Sequence, residues 1–335
     1  MSVNLYANGP RRKLILMGAG ASNLQLANRL FLEKISNLEI TCIASEEQVL
    51  NPAMLPGLVA GQYSLAESSL DVRDTLNKFQ VQWIQDKITA ISTSNHSVQL
   101  HSGHTHAFDC LSINTAPLQH RDQIETVLPG AKKNGFFLYP MELFSHHWAQ
   151  VCSDEASKAL RITVIGGSMR SMEIALAVRQ RLPHAAVTLV TQNVVQHASQ
   201  PVADLLHHSL KMQGITLLHD TALECTANHV HLGCGARLAC DIPIITLEPQ
   251  APAWLGNMHG QVYYWQLLQV QQGKQMLHAI LGKEDKPGAP IKSRRINTYY
   301  SGKSSGIAQW GNYTLHGRFA GWFKNYKDRR PLNRS

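Results

Sequence analysis

Two glycine turns carry the residue types and spacing that could bind a nucleotide: Gly18-Ala19-Gly20-Ala21-Ser22-Asn23 and Gly166-Gly167-Ser168-Met169-Arg170-Ser171. A Gly-x-Gly-x-x-Gly turn bends sharply and lets backbone N–H groups approach a pyrophosphate at the positive end of a helix. The first turn keeps glycine at the two most demanding positions and places Asn23 at the third. It reads either as a nucleotide seat or as a structural turn. The carboxylate that usually holds an adenosine ribose is replaced by Ser45, with Glu46 and Glu47 just beyond, and any of these could accept that hydrogen bond. The second turn retains Gly166 but puts Ser168 and Ser171 where the other glycines belong, with bulky Met169 and Arg170 between them. Side chains at those positions suit a dinucleotide poorly. After its second strand, Thr191-Gln192 supplies neither a carboxylate for NAD nor an arginine for NADP.

Other reactive residues point to no second chemistry. His101, His104 and His106 flank a Ser102-Gly103 turn, yet no acidic or cysteine ligand lies in that segment, so no metal site is expected. His146-His147 and His207-His208 fall on expected helices, where adjacent residues diverge by ~100° and cannot chelate one ion together. Gly166-Gly167-Ser168 lacks the trailing glycine of a nucleophile elbow, which argues against a hydrolase. Six cysteines lie far apart with no Cys-x-x-Cys pair, and read as reduced cytosolic thiols.

The elements that must position the glycine turns are legible around them. Lys13 to Met17 is a short apolar run, followed after the first turn by Leu24, Ala27, Leu30, Phe31 and Ile35 at helical spacing, then by the apolar stretch Leu38 to Ala44. That is strand, glycine turn, helix and strand, the length of a βαβ unit. Between Phe79 and Asn114 short alternating segments predict a β-meander. Arg161 to Ile165 restarts the pattern, with a helix through Ile174 and Val178, a strand over 187–191, a helix over 202–213 and a second alternating region ending in the strand 242–247. The duplication predicts an α/β protein: two Rossmann-like three-layer domains with β-meanders, plus a small C-terminal α+β segment. Helices are expected over 140–156 and 262–281, with two strands and a basic tail closing the chain.

At 335 residues, 44% of them hydrophobic, the chain is large enough for two cores. Met1 to Arg12 is polar and carries no secretory pattern, and no window approaches the ~20 apolar residues of a membrane span. The expected location is cytoplasmic, with peripheral contact at the inner face of the membrane as a further option. A formal charge of +8 favours anionic partners in general. The tail from Arg318 to Arg330 concentrates basic and aromatic residues; it reads as a helix docked by its aromatics, or as a membrane-surface helix using Phe319, Trp322 and Phe323.

Asn51-Pro-Ala-Met54-Leu55-Pro56-Gly57 resembles the Met-Leu-Pro-Gly segment of pyridine-nucleotide-dependent flavin oxidoreductases similar to type II NADH dehydrogenases, in particular the module found alone or fused to selenide, water dikinase. Leu111 to Pro117, Ala251 to Leu255, Val270 to Gly273 and Ile307 to Gly311 also resemble landmarks of that family, so the resemblance runs nearly end to end. It implies FAD across Gly18, Gly20, Met54, Leu55, Pro56 and Thr115, with NAD(P)H at Gly166, Gly167 and Ser168. The implied reaction passes hydride from NAD(P)H to FAD and on to a quinone or another acceptor. The resemblance places Glu173 beside the reacting rings; the other reading is a helix carboxylate balancing Arg179 or Arg181. The implied layout is an FAD domain begun by residues 1–118 and completed by 259–335, with a degenerate nucleotide domain, 119–258, inserted. A homodimer or a protein partner is compatible with it; nucleic acid is not expected.

Departures from the family are as informative. Thr246-Leu247-Glu248 stands for an Ala-Thr-Gly turn, placing a carboxylate near a site meant for phosphates. Tyr139 precedes Pro140 where relatives often carry a basic residue. Only Gly256 to Gln261 separates Trp254-Leu255 from the expected C-terminal helix, so the strand and Gly-Asp turn that hold the flavin's ribityl and pyrophosphate in relatives are expected to be missing. Together these losses support an alternative in which the chain is a non-catalytic binding or scaffolding module beside an intact partner.

Overall fold

The structure, a computed structural model, describes residues 12–35, 37–114, 119–154, 159–192, 199–247, 262–264 and 296–329. Strand β1 (Arg12–Met17) encloses Leu14, Ile15 and Leu16, as a central parallel strand covered on both faces requires. The chain then turns at Gly18, whose φ of 85° lies where glycine carries no Cβ penalty, and enters helix α1 (Ala21–Leu32). Strand β2 (Leu38–Ile43) returns parallel to β1 in the register Leu14 to Ile40. Helix α2 (Leu55–Val59), β3 (Gln82–Ile84) and β4 (Cys110–Ile113) follow. Leu14 and Leu16 share a core with Leu24, Ala27 and Leu30 of α1. Ile15, pointing the other way, shares one with Val98 and Leu100 of an antiparallel meander. This gives a helix layer, a sheet and a meander layer.

The meander is narrower than the alternation suggested. Gln82–Ile84 and Cys110–Ile113 are parallel strands of the main sheet, and the three strands between them form the meander.

The second unit repeats the plan with β5 (Phe136–Phe137), α3 (Met141–Asp154), β6 (Arg161–Ile165), α4 (Met169–Arg181), β7 (Ala186–Val190), α5 (Gln200–Met212), β8 (Thr216–Leu218) and β9 (Ile242–Ile245). Its sheet runs β5-β9-β6-β7-β8, all parallel. Here too Ile162 and Val164 face the helices while Ile165 faces a meander containing Ala222, Cys225 and Val230.

Residues 262–264 correct the sequence expectation. Val262–Tyr264 is not the start of a helix but a strand, β10, lying parallel to β4 with Val262 opposite Leu111 and Tyr264 opposite Ile113. The first sheet is therefore β10-β4-β1-β2-β3, and the strand expected to be deleted is present. The remainder of the expected helix over 262–281, the Ala251 to Leu255 and Val270 to Gly273 landmarks, Glu248 and Thr115 lie outside the described residues.

Three strands rather than two then form an antiparallel sheet, β11 (Ile296–Tyr300), β12 (Gly306–Trp310) and β13 (Tyr313–Gly317), before helix α6 (Arg318–Asp328). The largest core joins all three parts: Leu55 and Val59 of α2, Phe144 and Trp148 of α3, Met172 and Leu176 of α4, and Tyr300 and Ile307 of the C-terminal sheet. Helix α6 is docked mainly by small and charged residues, and of its aromatics Phe323 is half-buried. Ala320, Gly321, Lys324 and Asp328 face inward, while Phe319 (66%), Trp322 (59%) and Tyr326 (46%) remain exposed.

Candidate functional site

The first glycine turn sits at the carboxyl ends of β1, β2 and β4, the edge where open α/β sheets bind ligands. Gly18 N–H donates to Ile43 O at 2.8 Å, closing the turn onto β2. At the start of α1, Ser22 N–H donates to Asn114 Oδ1 at 3.0 Å. The amides of Ala21 and Asn23 meet no protein acceptor among the described residues. Gly20 is needed for close approach: a Cβ there would lie 2.1 Å from Asn114 Oδ1. Ala19 is buried.

Asn23 does not offer its side chain to a ligand. It is fully enclosed, donating through Nδ2 to Met17 O (3.1 Å) and Gly18 O (2.7 Å) and accepting from Ser112 Oγ. An asparagine at the third glycine position thus ties α1 to β1 and β4. Ser45 and Glu46 are exposed just past β2, and Ser45 Oγ donates to Glu46 Oε1 at 2.9 Å.

In the second turn the chain's own hydroxyls occupy the helix start. Ser168 Oγ accepts Ser171 N–H at 3.3 Å, and Ser168 N–H donates to Ser171 Oγ at 3.2 Å, a reciprocal cap of α4. Thr246 Oγ1 lies 2.8 Å from Ser171 Oγ and 2.9 Å from Ile165 O. Both hydroxyls also crowd Gly166, where a Cβ would lie 2.4 Å from Thr246 Oγ1 and 2.8 Å from Ser171 Oγ. Gly167 alone is exposed in this turn.

Met54, Leu55 and Pro56 are buried between the two units. Three contacts fix this segment: Trp148 Nε1–H donates to Val59 O at 2.9 Å, Leu50 N–H donates to Glu142 Oε1 at 3.1 Å, and Lys324 Nζ donates to Ala53 O at 3.0 Å. Lys324 also pairs with Asp328 at 2.5 Å, with side chains only 5% and 2% exposed. Burial pushes the Asp328 carboxyl upward even against the Lys324 charge. Tyr63 OH donates to Asn325 Oδ1 at 2.7 Å, and burial, then the Asp328 charge, pushes its phenol up. Nothing local in the sequence singles out Lys324 and Asp328 except their i,i+4 spacing, a signal hidden in a tail full of other charges.

Glu173 joins neither Arg179 nor Arg181. Its carboxylate accepts Tyr300 N–H at 2.7 Å and pairs with Arg170 Nη1 at 3.2 Å. Arg179 instead donates to Gln213 O, Pro183 O and Ala185 O. Among the described residues no His, Cys, Asp and Glu group could hold a metal ion, and the His104 ring lies 3.0 Å from Ser102 Oγ.

Taken together, the first turn suits a pyrophosphate through its two unclaimed amides at a helix start, while Gly20 is there to let Asn114 pack against it. The second does not fit one as it stands, because serine and threonine hydroxyls fill it.

Residues 12–247 match the family model of the pyridine nucleotide-disulphide oxidoreductases. No curated protein sequence matches the chain. Among solved structures it is similar to the sulfide:quinone oxidoreductase of Aquifex aeolicus, with a TM-score of 0.77, 15% identity, and coverage of 95% of this chain and 90% of that one. It is similar to NDH2 of Plasmodium falciparum, solved with NADH, with a TM-score of 0.68, 12% identity, and coverage of 96% and 99%. It is also similar to a NAD-dependent persulfide reductase of A. fulgidus, with a TM-score of 0.69, 15% identity, and coverage of 88% and 63%. At these identities the likeness is one of fold.

Proposed function

This chain belongs to the pyridine nucleotide-disulphide oxidoreductase family, and from that premise we propose that it is an FAD-dependent oxidoreductase of the NAD(P)H-using kind, passing electrons to a quinone or another acceptor. The observation that carries the proposal is the first glycine turn, whose Ala21 and Asn23 amides stand ready for a phosphate at the end of a parallel βαβ unit. FAD, when bound, supplies the two-electron chemistry. The protein's part is orientation: Gly18 and Gly20 shape the seat, Ser45 or Glu46 accepts from the ribose, and Thr115 is assigned to the same ligand. Met54, Leu55 and Pro56, locked by Lys324 and Trp148, form the apolar wall that excludes water. Glu173 is assigned to the reacting end of the site, its carboxylate held by Arg170 and Tyr300.

The second turn favours a competing reading, a non-catalytic binding module in which pyridine nucleotide no longer enters at Gly166, Gly167 and Ser168. Purified protein separates the two. A yellow preparation that reduces a quinone or dye with NADH or NADPH supports the enzyme. A preparation that stays colourless after incubation with FAD rejects it.

The acceptor side is assigned to the C-terminal layer. Phe319, Trp322 and Tyr326 form an exposed aromatic ridge on α6, Trp322 stacked on Tyr326 and tilted against Phe319, bordered by Arg318 and Lys327. Aromatic and basic residues together suit a peripheral contact with an anionic membrane surface, and the described helices include none long and apolar enough to cross one. A second copy of the chain or a protein partner would meet the same ridge.

A further inference from the structure

Gly57 follows directly on Met54-Leu55-Pro56 and has no side chain because another residue takes that space. A Cβ there would lie 2.7 Å from Tyr63 Cδ2 and closer still to Cε2, so the Tyr63 ring rests against the backbone of α2. Its hydroxyl reaches α6, donating to Asn325 Oδ1 at 2.7 Å and lying 3.5 Å from Asp328 Oδ2. Arg329 covers the same ring, its Cζ 5.3 Å from the centroid, while its Nη1 pairs with Glu67 at 3.2 Å. The same end of α6 also holds the chain before Met54: Lys324 Nζ donates to Ala53 O, and Asn51 Nδ2 donates to Asp328 O at 3.3 Å.

Helix α2 has five residues and no side-chain cap at its start, too little to hold itself in place. Its position comes from tertiary contacts: Lys324 at Ala53 on one side, Trp148 at Val59 on the other, and Tyr63 at Gly57 between them. Resting on the FAD assignment above, we infer that Tyr63 is a positioning residue of the flavin site. Its ring backs Gly57 and its hydroxyl ties that ring to Asn325, so the C-terminal helix fixes where Met54, Leu55 and Pro56 stand against the flavin.

The test sets FAD affinity and the visible absorption of bound flavin beside thermal melting. Tyr63→Phe keeps the ring on Gly57 and loses the hydroxyl bond. It should weaken FAD binding about three- to tenfold, the worth of one hydrogen bond, and blur the shoulders of the flavin band as water reaches it. Asn325→Leu removes the acceptor and should do the same, and the double variant should be no worse than either alone, because the two residues act as a unit. Val230→Ala, a truncation in the core of the second meander, is the stability control: it should melt lower and leave flavin affinity and spectrum unchanged. If the Tyr63 and Asn325 variants merely melt lower, as the control does, or if their effects on FAD add in full, the inference falls and the FAD assignment stands. If the parent protein takes up no FAD, both fall. Should Tyr63→Phe not fold, the Asn325→Leu protein decides by the same criteria.

Discussion

Glu173 accepts the backbone N–H of Tyr300 at 2.7 Å, so the helix that follows the second glycine turn is bonded directly to the C-terminal sheet. A residue assigned to chemistry thus also closes a joint between two parts of the fold, and substitutions must separate the two roles.

Glu173→Gln keeps an acceptor for Tyr300 and loses the Arg170 charge pair, whereas Glu173→Ala leaves a buried N–H without its partner. Urea unfolding should show a loss of about 1–3 kcal/mol for the alanine variant and distinctly less for glutamine. In the flavin-loaded enzyme the glutamine variant should lose turnover out of proportion to its stability. Equal losses in both assays would reduce Glu173 to a structural role.

The Lys324–Asp328 pair holds α6 to the backbone at Ala53. Removing one partner strands a buried charge, so Lys324→Met or Asp328→Leu alone should cost about 3–5 kcal/mol. The double variant should recover most of that in the same unfolding titration.

Acid should loosen α5. His207 Nε2 is buried with no hydrogen-bond partner among the described residues, and burial, then the neighbouring His219, lowers its pKa against a weaker pull from Asp204. A histidine with a folded pKa below its unfolded value of about 6.5 takes up protons on unfolding, so stability falls as pH drops through that range. His316, lowered by burial and His208, acts in the same sense. Melting temperatures from pH 7.5 to 5 should fall, and His207→Gln should flatten part of the slope.

Replacing Phe319, Trp322 and Tyr326 together by serine removes the exposed ridge and touches little of the core. Binding to anionic liposomes at low salt should disappear while the melting temperature barely moves. Parent protein that fails to sediment with such liposomes would refute the membrane contact.

Restoring glycine at Ser168 and Ser171 empties the second turn of hydroxyls. The double variant should lose roughly 1 kcal/mol with the cap of α4. It should also gain affinity for NADH or NADPH, measured by nucleotide fluorescence. No gain would place the obstacle elsewhere in that unit.

Local pattern made much of this legible. The run Lys13 to Met17, the glycines at 18 and 20 and the spacing of Leu24, Ala27 and Leu30 state a βαβ unit within one stretch of chain. What failed did so because the deciding partner is far away. Val262–Tyr264 is flanked by a run with helical spacing, and a strand of three residues takes its identity from β4, not from itself. The aromatics of α6 suggested a buried face, yet a lysine and an aspartate took the inner positions because they could satisfy each other there. Asn114 carries no local signal at all, since its partner Ser22 lies 92 residues earlier.

Each sheet borrows an outer strand: Phe136–Phe137 precedes the unit it completes, and Val262–Tyr264 follows the other by the whole length of its neighbour. During synthesis the margin of β4 must wait, unpaired, until the ribosome has delivered residue 264. Nascent chains stalled before that point would present a naked strand edge, the feature by which unfinished proteins adhere to one another.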